Sequence, residues 1–154
     1  MKKIYFILAK ISGSLDISHT IGPFVFFPEK KIIILNNFYP GVDIVDVDRI
    51  KSSIEKYQDK FLSKVFNKEE QDYCNSKSNP FIHFSGKFAA KEAVMKAVFC
   101  SKKLSSISFK DISIINDKNG VPIVFINGNF EKSINISISH TNDQAIAFAI
   151  LKEK

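Results

Sequence analysis

The sequence predicts an α+β fold in which helices pack on an antiparallel sheet. Three observations predict it. Apolar residues recur at helical spacing between residues 46 and 99, apolar runs of strand length fill residues 112–151, and turn residues separate those runs. Helices followed by strands is the order of an α+β domain; a parallel sheet would need strict alternation. No internal repeat breaks the pattern.

Residues 1–38 read as an N-terminal extension of unassigned role. They hold the apolar run Ile4–Ala9, loop residues at Gly13-Ser14, Gly22-Pro23 and Pro28, and a second run, Ile32–Leu35, enough for two or three short strands. Past Pro40, Val42–Val45 is a short strand-like piece interrupted by Asp43. Val47, Ile50, Ile54 and Tyr57 then recur at helical spacing, with Asp46 placed to cap the first turn. Asn67 and Glu70 have the spacing of a capping box and predict a second helix. Pro80, suited to a first helical turn, opens a third that runs to about Phe99. Strands follow at Ile112–Ile115 and Val121–Ile126, flanking the hairpin signal Asn119-Gly120. Ile134, Ile136 and Ile138 alternate with polar residues, and Ala145–Leu151 forms the last strand.

Composition narrows the function classes. At 154 residues, 45% hydrophobic and 25% charged, the chain is an ordinary globular domain and not a disordered segment. No stretch reaches the roughly 18 apolar residues of a membrane span, and the Ile4–Ala9 run stops at Lys10 without a signal-peptidase pattern. The net charge of +6 comes from scattered lysines, Arg49 being the sole arginine. That balance suits an acidic or phosphate-bearing partner. A basic nucleic-acid-binding α+β domain without catalysis is the alternative, but it calls for clustered cations and exposed aromatics, which the scatter does not supply. Cys74 and Cys100 form no CxxC pair, as expected of reduced thiols in a cytoplasmic protein.

Two carboxylates stand in apolar settings. At 100° per residue, Phe81, Phe84, Phe88, Met95 and Phe99 share a stripe of the third helix, and Glu92 falls inside it. A carboxylate there needs a cation or strong donors. It pairs with Lys96 four residues on, in the favourable Glu-to-Lys order, or it ligates a metal. Asp43, in a strand-like run, is an edge residue or a second ligand. Two carboxylates with Lys87, Lys91 and Lys96 near one of them suit Mg²⁺ and a phosphate substrate, because Mg²⁺ takes one or two protein carboxylates and fills its octahedron with water and phosphate oxygens. His140 shares parity with Ile134, Ile136 and Ile138, as a half-buried structural histidine does; His19 and His83 read as structural or surface residues.

Three segments carry a resemblance. Gly41-Val42-Asp43-Ile44-Val45-Asp46-Val47-Asp48-Arg49-Ile50, Phe88-Ala89-Ala90-Lys91-Glu92-Ala93-Val94-Met95-Lys96-Ala97 and Ser137-Ile138-Ser139-His140-Thr141 resemble, in order, the signatures of the holo-acyl-carrier-protein synthases, the small class of 4′-phosphopantetheinyl transferases. The match covers residues 39–152 and implies a phosphopantetheinyl transferase domain over 39–154. It implies transfer of the 4′-phosphopantetheine arm from coenzyme A to a serine of apo-acyl carrier protein, with release of 3′,5′-ADP, in fatty acid or polyketide synthesis. By position, Asp43 and Glu92 would hold Mg²⁺. Lys96, with Lys87 and Lys91, would meet the nucleotide phosphates, and Ser139 and His140 would line the coenzyme A site. Arg49 would face acidic residues of the carrier protein. The resemblance also implies a homotrimer with active sites at subunit boundaries, and it leaves the general base open.

Overall fold

A computed structural model describes residues 37–153. The strands expected before Asn36 and the reading of His19 lie outside the described residues. The described chain runs β1 (Phe38–Asp46), α1 (Val47–Tyr57), α2 (Asp59–Val65), α3 (Lys68–Asn75), α4 (Pro80–Ser101), β2 (Ile112–Asn116), β3 (Pro122–Ile126), β4 (Asn129–Phe130), β5 (Ile134–His140) and β6 (Gln144–Lys152). The α+β order holds, with two three-stranded antiparallel sheets instead of one: β1-β6-β5 and β2-β3-β4.

β1 is longer than the strand-like piece at Val42–Val45. It pairs with β6 along its whole length, Phe38 opposite Lys152 and Asp46 opposite Gln144. Pro40 is tolerated because β1 is an edge strand of its sheet. Asp46 stands at the start of α1 as expected, but its side chain makes no capping bond. The Val47 amide donates instead to the Asp143 carbonyl at 2.8 Å. The α3 cap is as the sequence predicts: the Glu70 amide donates to Asn67 Oδ1 at 2.8 Å and the Asn67 amide to Glu70 Oε2 at 2.9 Å. Helix α2 carries too short a pattern to signal itself, and β4 is only two residues long.

The expected hairpin across Asn119-Gly120 forms, β2 pairing antiparallel with β3, but through a longer loop than a two-residue turn. Five residues separate β2 from β3, and Asp117 organises them by accepting from the amides of Asn119 and Val121. The tight two-residue hairpin lies one strand later, at Asn127-Gly128, where both residues have positive φ (51° and 77°) and Ile126 pairs with Asn129. This is the backbone that Asn-Gly favours most strongly.

Helix α4 is the centre of the molecule and lies across β1 and β6. The expected Phe81–Phe99 stripe is buried in part, Phe84 and Met95 in the core and Phe88 against it, whereas Phe99 is exposed and Glu92 half-buried; the face that meets β1 lies elsewhere on the helix. Small residues form that face: Ala89, Ala90, Ala93 and Ala97 on the helix meet Ala145, Ala147 and Ala149 on β6. Backbones therefore come close. A Cβ on Gly41 would overlap the Ala93 carbonyl oxygen and stand 2.7 Å from the Ala97 amide nitrogen. Glycine at 41 is thus a requirement of close approach, and it draws β1 onto the helix.

Candidate active site

That close approach determines where Asp43 lies. Gly41, Asp43 and Val45 alternate onto the α4 side of β1, so the seating of Gly41 against Ala93 and Ala97 sets Asp43 beside the same helix. Lys96 Nζ reaches back to it, donating to Asp43 Oδ1 at 2.9 Å and to the Val42 carbonyl at 2.8 Å. Lys96 therefore pairs with Asp43, not with Glu92 as the helical spacing suggested. Glu92, one turn away on α4, is pushed above the usual carboxylate range, first by burial and then by the Asp43 charge; Lys96 and Arg49 oppose the rise. The sequence-distant carboxylates of Asp43 and Glu92 thus feel each other, and Arg49, exposed on α1, acts on the same spot.

Two like charges crowded on a half-buried surface call for a cation. The donor set, two carboxylates from a strand and a helix with open space on one side, fits a hard divalent ion that keeps water or phosphate oxygens in its remaining positions. Among the described residues no three His, Cys, Asp or Glu side chains converge on one metal position.

The other lysines of α4 are differently placed. Lys91 is a correction to the expected phosphate contact. It is fully buried, 2.7 Å from Glu70 Oε2, and also donates to the carbonyls of Val65 at 2.7 Å and Phe109 at 3.1 Å. Glu70 takes the Ile114 amide on its other oxygen at 2.9 Å. Every donor direction of Lys91 is engaged inside the core, where a substrate phosphate cannot reach it. Lys87 donates to the Ile114 carbonyl at 2.6 Å and to Asn116 Oδ1 at 3.1 Å, with its ammonium 4.5 Å from the Tyr73 ring centre. Burial lowers its pKa, and among the described residues no carboxylate pairs with it.

Lys87 lines a cleft of about 480 Å³ between α4, the β2–β3 turn and β5. His140 lines it too, as does His83, whose ring stands edge-on to His140 at 5.7 Å. Ser139 does not line it; it pairs with Ile146 on β6. His83 is the residue that sequence reasoning missed. Its signal was its position one helical turn before Lys87.

Residues 39–149 match the model of the 4′-phosphopantetheinyl transferase superfamily. The chain belongs to that family. It is 48% identical over 111 residues to the holo-[acyl-carrier-protein] synthase of Thermodesulfovibrio yellowstonii, covering 72% of this chain and 95% of the relative. The synthase of Protochlamydia amoebophila is 43% identical over 115 residues, 71% of this chain and 93% of the relative. Among solved structures, the Bacillus anthracis synthase in complex with CoA (3′,5′-ADP) superposes with a TM-score of 0.62 at 29% identity, covering 75% of this chain and 96% of that one. The Helicobacter pylori synthase in complex with coenzyme A gives 0.60 at 30% identity, covering 73% and 99%.

Proposed function

We propose that the chain, like its family, transfers the 4′-phosphopantetheine arm of coenzyme A to a serine of apo-acyl carrier protein, and that residues 39–154 form the transferring domain. The observation that carries the site assignment is the Asp43–Glu92–Lys96 cluster, which the fold assembles from β1 and α4. Asp43 and Glu92 hold Mg²⁺, which when bound supplies Lewis-acid polarisation of the phosphoryl group under attack. Lys96, on the open side of Asp43, offers its ammonium to the charge that builds on the phosphate oxygens. The attacking atom is the serine oxygen of the carrier protein. The bond to the 3′,5′-ADP moiety breaks and that nucleotide leaves.

The cleft beside β5 takes the nucleotide end of coenzyme A. None of its lining residues is acidic, and Lys87 and the two histidines face an anion there. Ser137 rather than Ser139 belongs to it. Asp43 pairs with Ala147 and Ala147 with Ile138, so carboxylates and cleft stand on opposite edges of one three-stranded sheet. A homotrimer in which the β5 edge of one copy adjoins the β1 edge of the next joins the two halves into one site. The solvent face of that sheet supports self-association: Val42, Ile44, Ile146 and Phe148 are 50%, 58%, 42% and 44% exposed. Arg49, beside the carboxylates on the exposed side of α1, faces the acidic carrier protein, its planar fork suited to carboxylates. No helix among the described residues is long and apolar enough to cross a membrane, and the free thiols Cys74 and Cys100 fit a cytoplasmic reaction.

The test is the mass of apo-acyl carrier protein incubated with this chain, coenzyme A and Mg²⁺. A gain equal to the phosphopantetheine arm, lost with EDTA, is the expected result. No gain overturns the reading, and a gain that survives EDTA overturns the metal role.

A further inference from the structure

The cleft holds a histidine that lies outside the three family-like segments, His83. His83 projects from the first turn of α4 between two aromatic neighbours, the Tyr73 ring at 6.0 Å and the His140 ring at 5.7 Å, both edge-on. Basic side chains approach it from each element packed nearby. Lys77, just past α3, lies 4.4 Å from the Tyr73 ring centre; Lys87 of α4 lies 4.5 Å from the same centre on its way to Asn116; His140 comes from β5. No acidic side chain lines the cleft to balance them. A half-buried imidazole ringed by cations is a poor choice for packing alone, because an apolar aromatic would fill the same space without the electrostatic conflict.

We propose that His83 is a specificity-determining contact for this chain: together with His140 it receives a phosphate of the bound nucleotide, taking up a proton as it does so. The proposal rests on the assignment of the cleft to the nucleotide end of coenzyme A. In the free chain the pKa of His83 is lowered, first by burial and then by His140, Lys77 and Lys87. A phosphate reverses the balance, since a dianion beside the ring favours the imidazolium and turns a neutral donor into a charge-assisted one. Between the lowered pKa of the free cleft and the raised pKa of the occupied one, binding therefore draws in a proton. Affinity strengthens as pH falls through that window.

The test is calorimetric titration of the full chain with 3′,5′-ADP at about pH 6 and about pH 8, each in two buffers of different ionisation enthalpy, on wild type, His83→Phe and His83→Gln. Phe keeps the ring packing against Tyr73 and His140; Gln keeps a donor that cannot titrate. The expected result is net proton uptake by wild type and affinity at least about tenfold tighter at the lower pH, within the limit of about a hundredfold that one proton sets over two pH units. His83→Phe loses most of that gain at the lower pH and little at the higher. His83→Gln recovers part of the affinity without the uptake. Binding with the same uptake and the same pH profile in all three proteins overturns the role of His83 and leaves the cleft assignment standing. No binding of 3′,5′-ADP by wild type overturns the cleft assignment, and the proposal with it. Far-ultraviolet circular dichroism of the variants separates either result from loss of fold.

Discussion

Helix α4 carries two lysine–carboxylate pairs little more than one turn apart, and they have opposite fates. Lys91 and Glu70 meet at 2.7 Å with both side chains wholly out of solvent. Lys96 and Asp43 meet at 2.9 Å with the lysine half exposed. The first pair is closed: three further hydrogen bonds to the chain around it, from Lys91 to Val65 and Phe109 and from Ile114 to Glu70, tie α3, α4 and β2 together. The second is open on one side, with a second carboxylate, Glu92, crowding it. The same residue types are therefore closed off where solvent is excluded and left available to a ligand where it is not. What separates them is the completeness of their hydrogen-bonding surroundings.

That contrast can be broken most forcefully at the closed pair. Lys91→Met strands the Glu70 charge in the core, and we expect a loss of about 3–5 kcal/mol of stability in denaturant unfolding, a large part of a domain's margin. Adding Glu70→Gln removes the stranded charge and returns part of the loss. If Lys91→Met leaves the unfolding midpoint in place, the structural role is wrong. The open pair responds the other way. Lys96→Met is expected to cost no more than about 1 kcal/mol of stability while lowering kcat/KM for arm transfer by about a hundredfold. A variant with unchanged kinetics would make Lys96 a surface pair and nothing more.

The smallest effect on stability concerns Glu92. Its folded pKa lies above the ordinary carboxylate value. The folded chain thus holds that proton more tightly than the unfolded one, and metal-free stability declines as pH rises through the window between the two values. In EDTA, Glu92→Gln should melt at or slightly above wild type at neutral pH, with the gap closing toward acid pH, while its transfer activity is abolished. Mg²⁺ should raise the melting temperature of wild type only. A Glu92→Gln protein that melts lower than wild type in EDTA would show that the carboxylate is satisfied within the chain.

How much was readable varied with the range of the interaction concerned. The α3 cap was legible from Asn67 and Glu70 because its bonds close within three residues. Pro80 marked the start of α4 for the same local reason. The hairpin at Asn127-Gly128 was equally local in principle, but the second Asn-Gly, at 119–120, drew the assignment; its loop instead follows Asp117. Asp43 and Glu92 were visible as carboxylates in unsuitable places, and the three family-like segments told which reaction such a pair serves. The helical periodicity, by contrast, found only one of the buried faces of α4, because a helix covered on most sides has no single apolar stripe to find.

The sequence by itself determined the order of the longer elements, the starts of α1, α3 and α4, the family and the pair of misplaced acids, since each is written in contiguous residues or short motifs. Only the tertiary structure decided which lysine each carboxylate meets, that Lys91 is interior, and that His83 shares a cleft with His140. Those outcomes depend on how closely β1 and β6 approach α4, and that distance is fixed by small side chains at Gly41, Ala93 and Ala97 meeting across elements far apart in the chain.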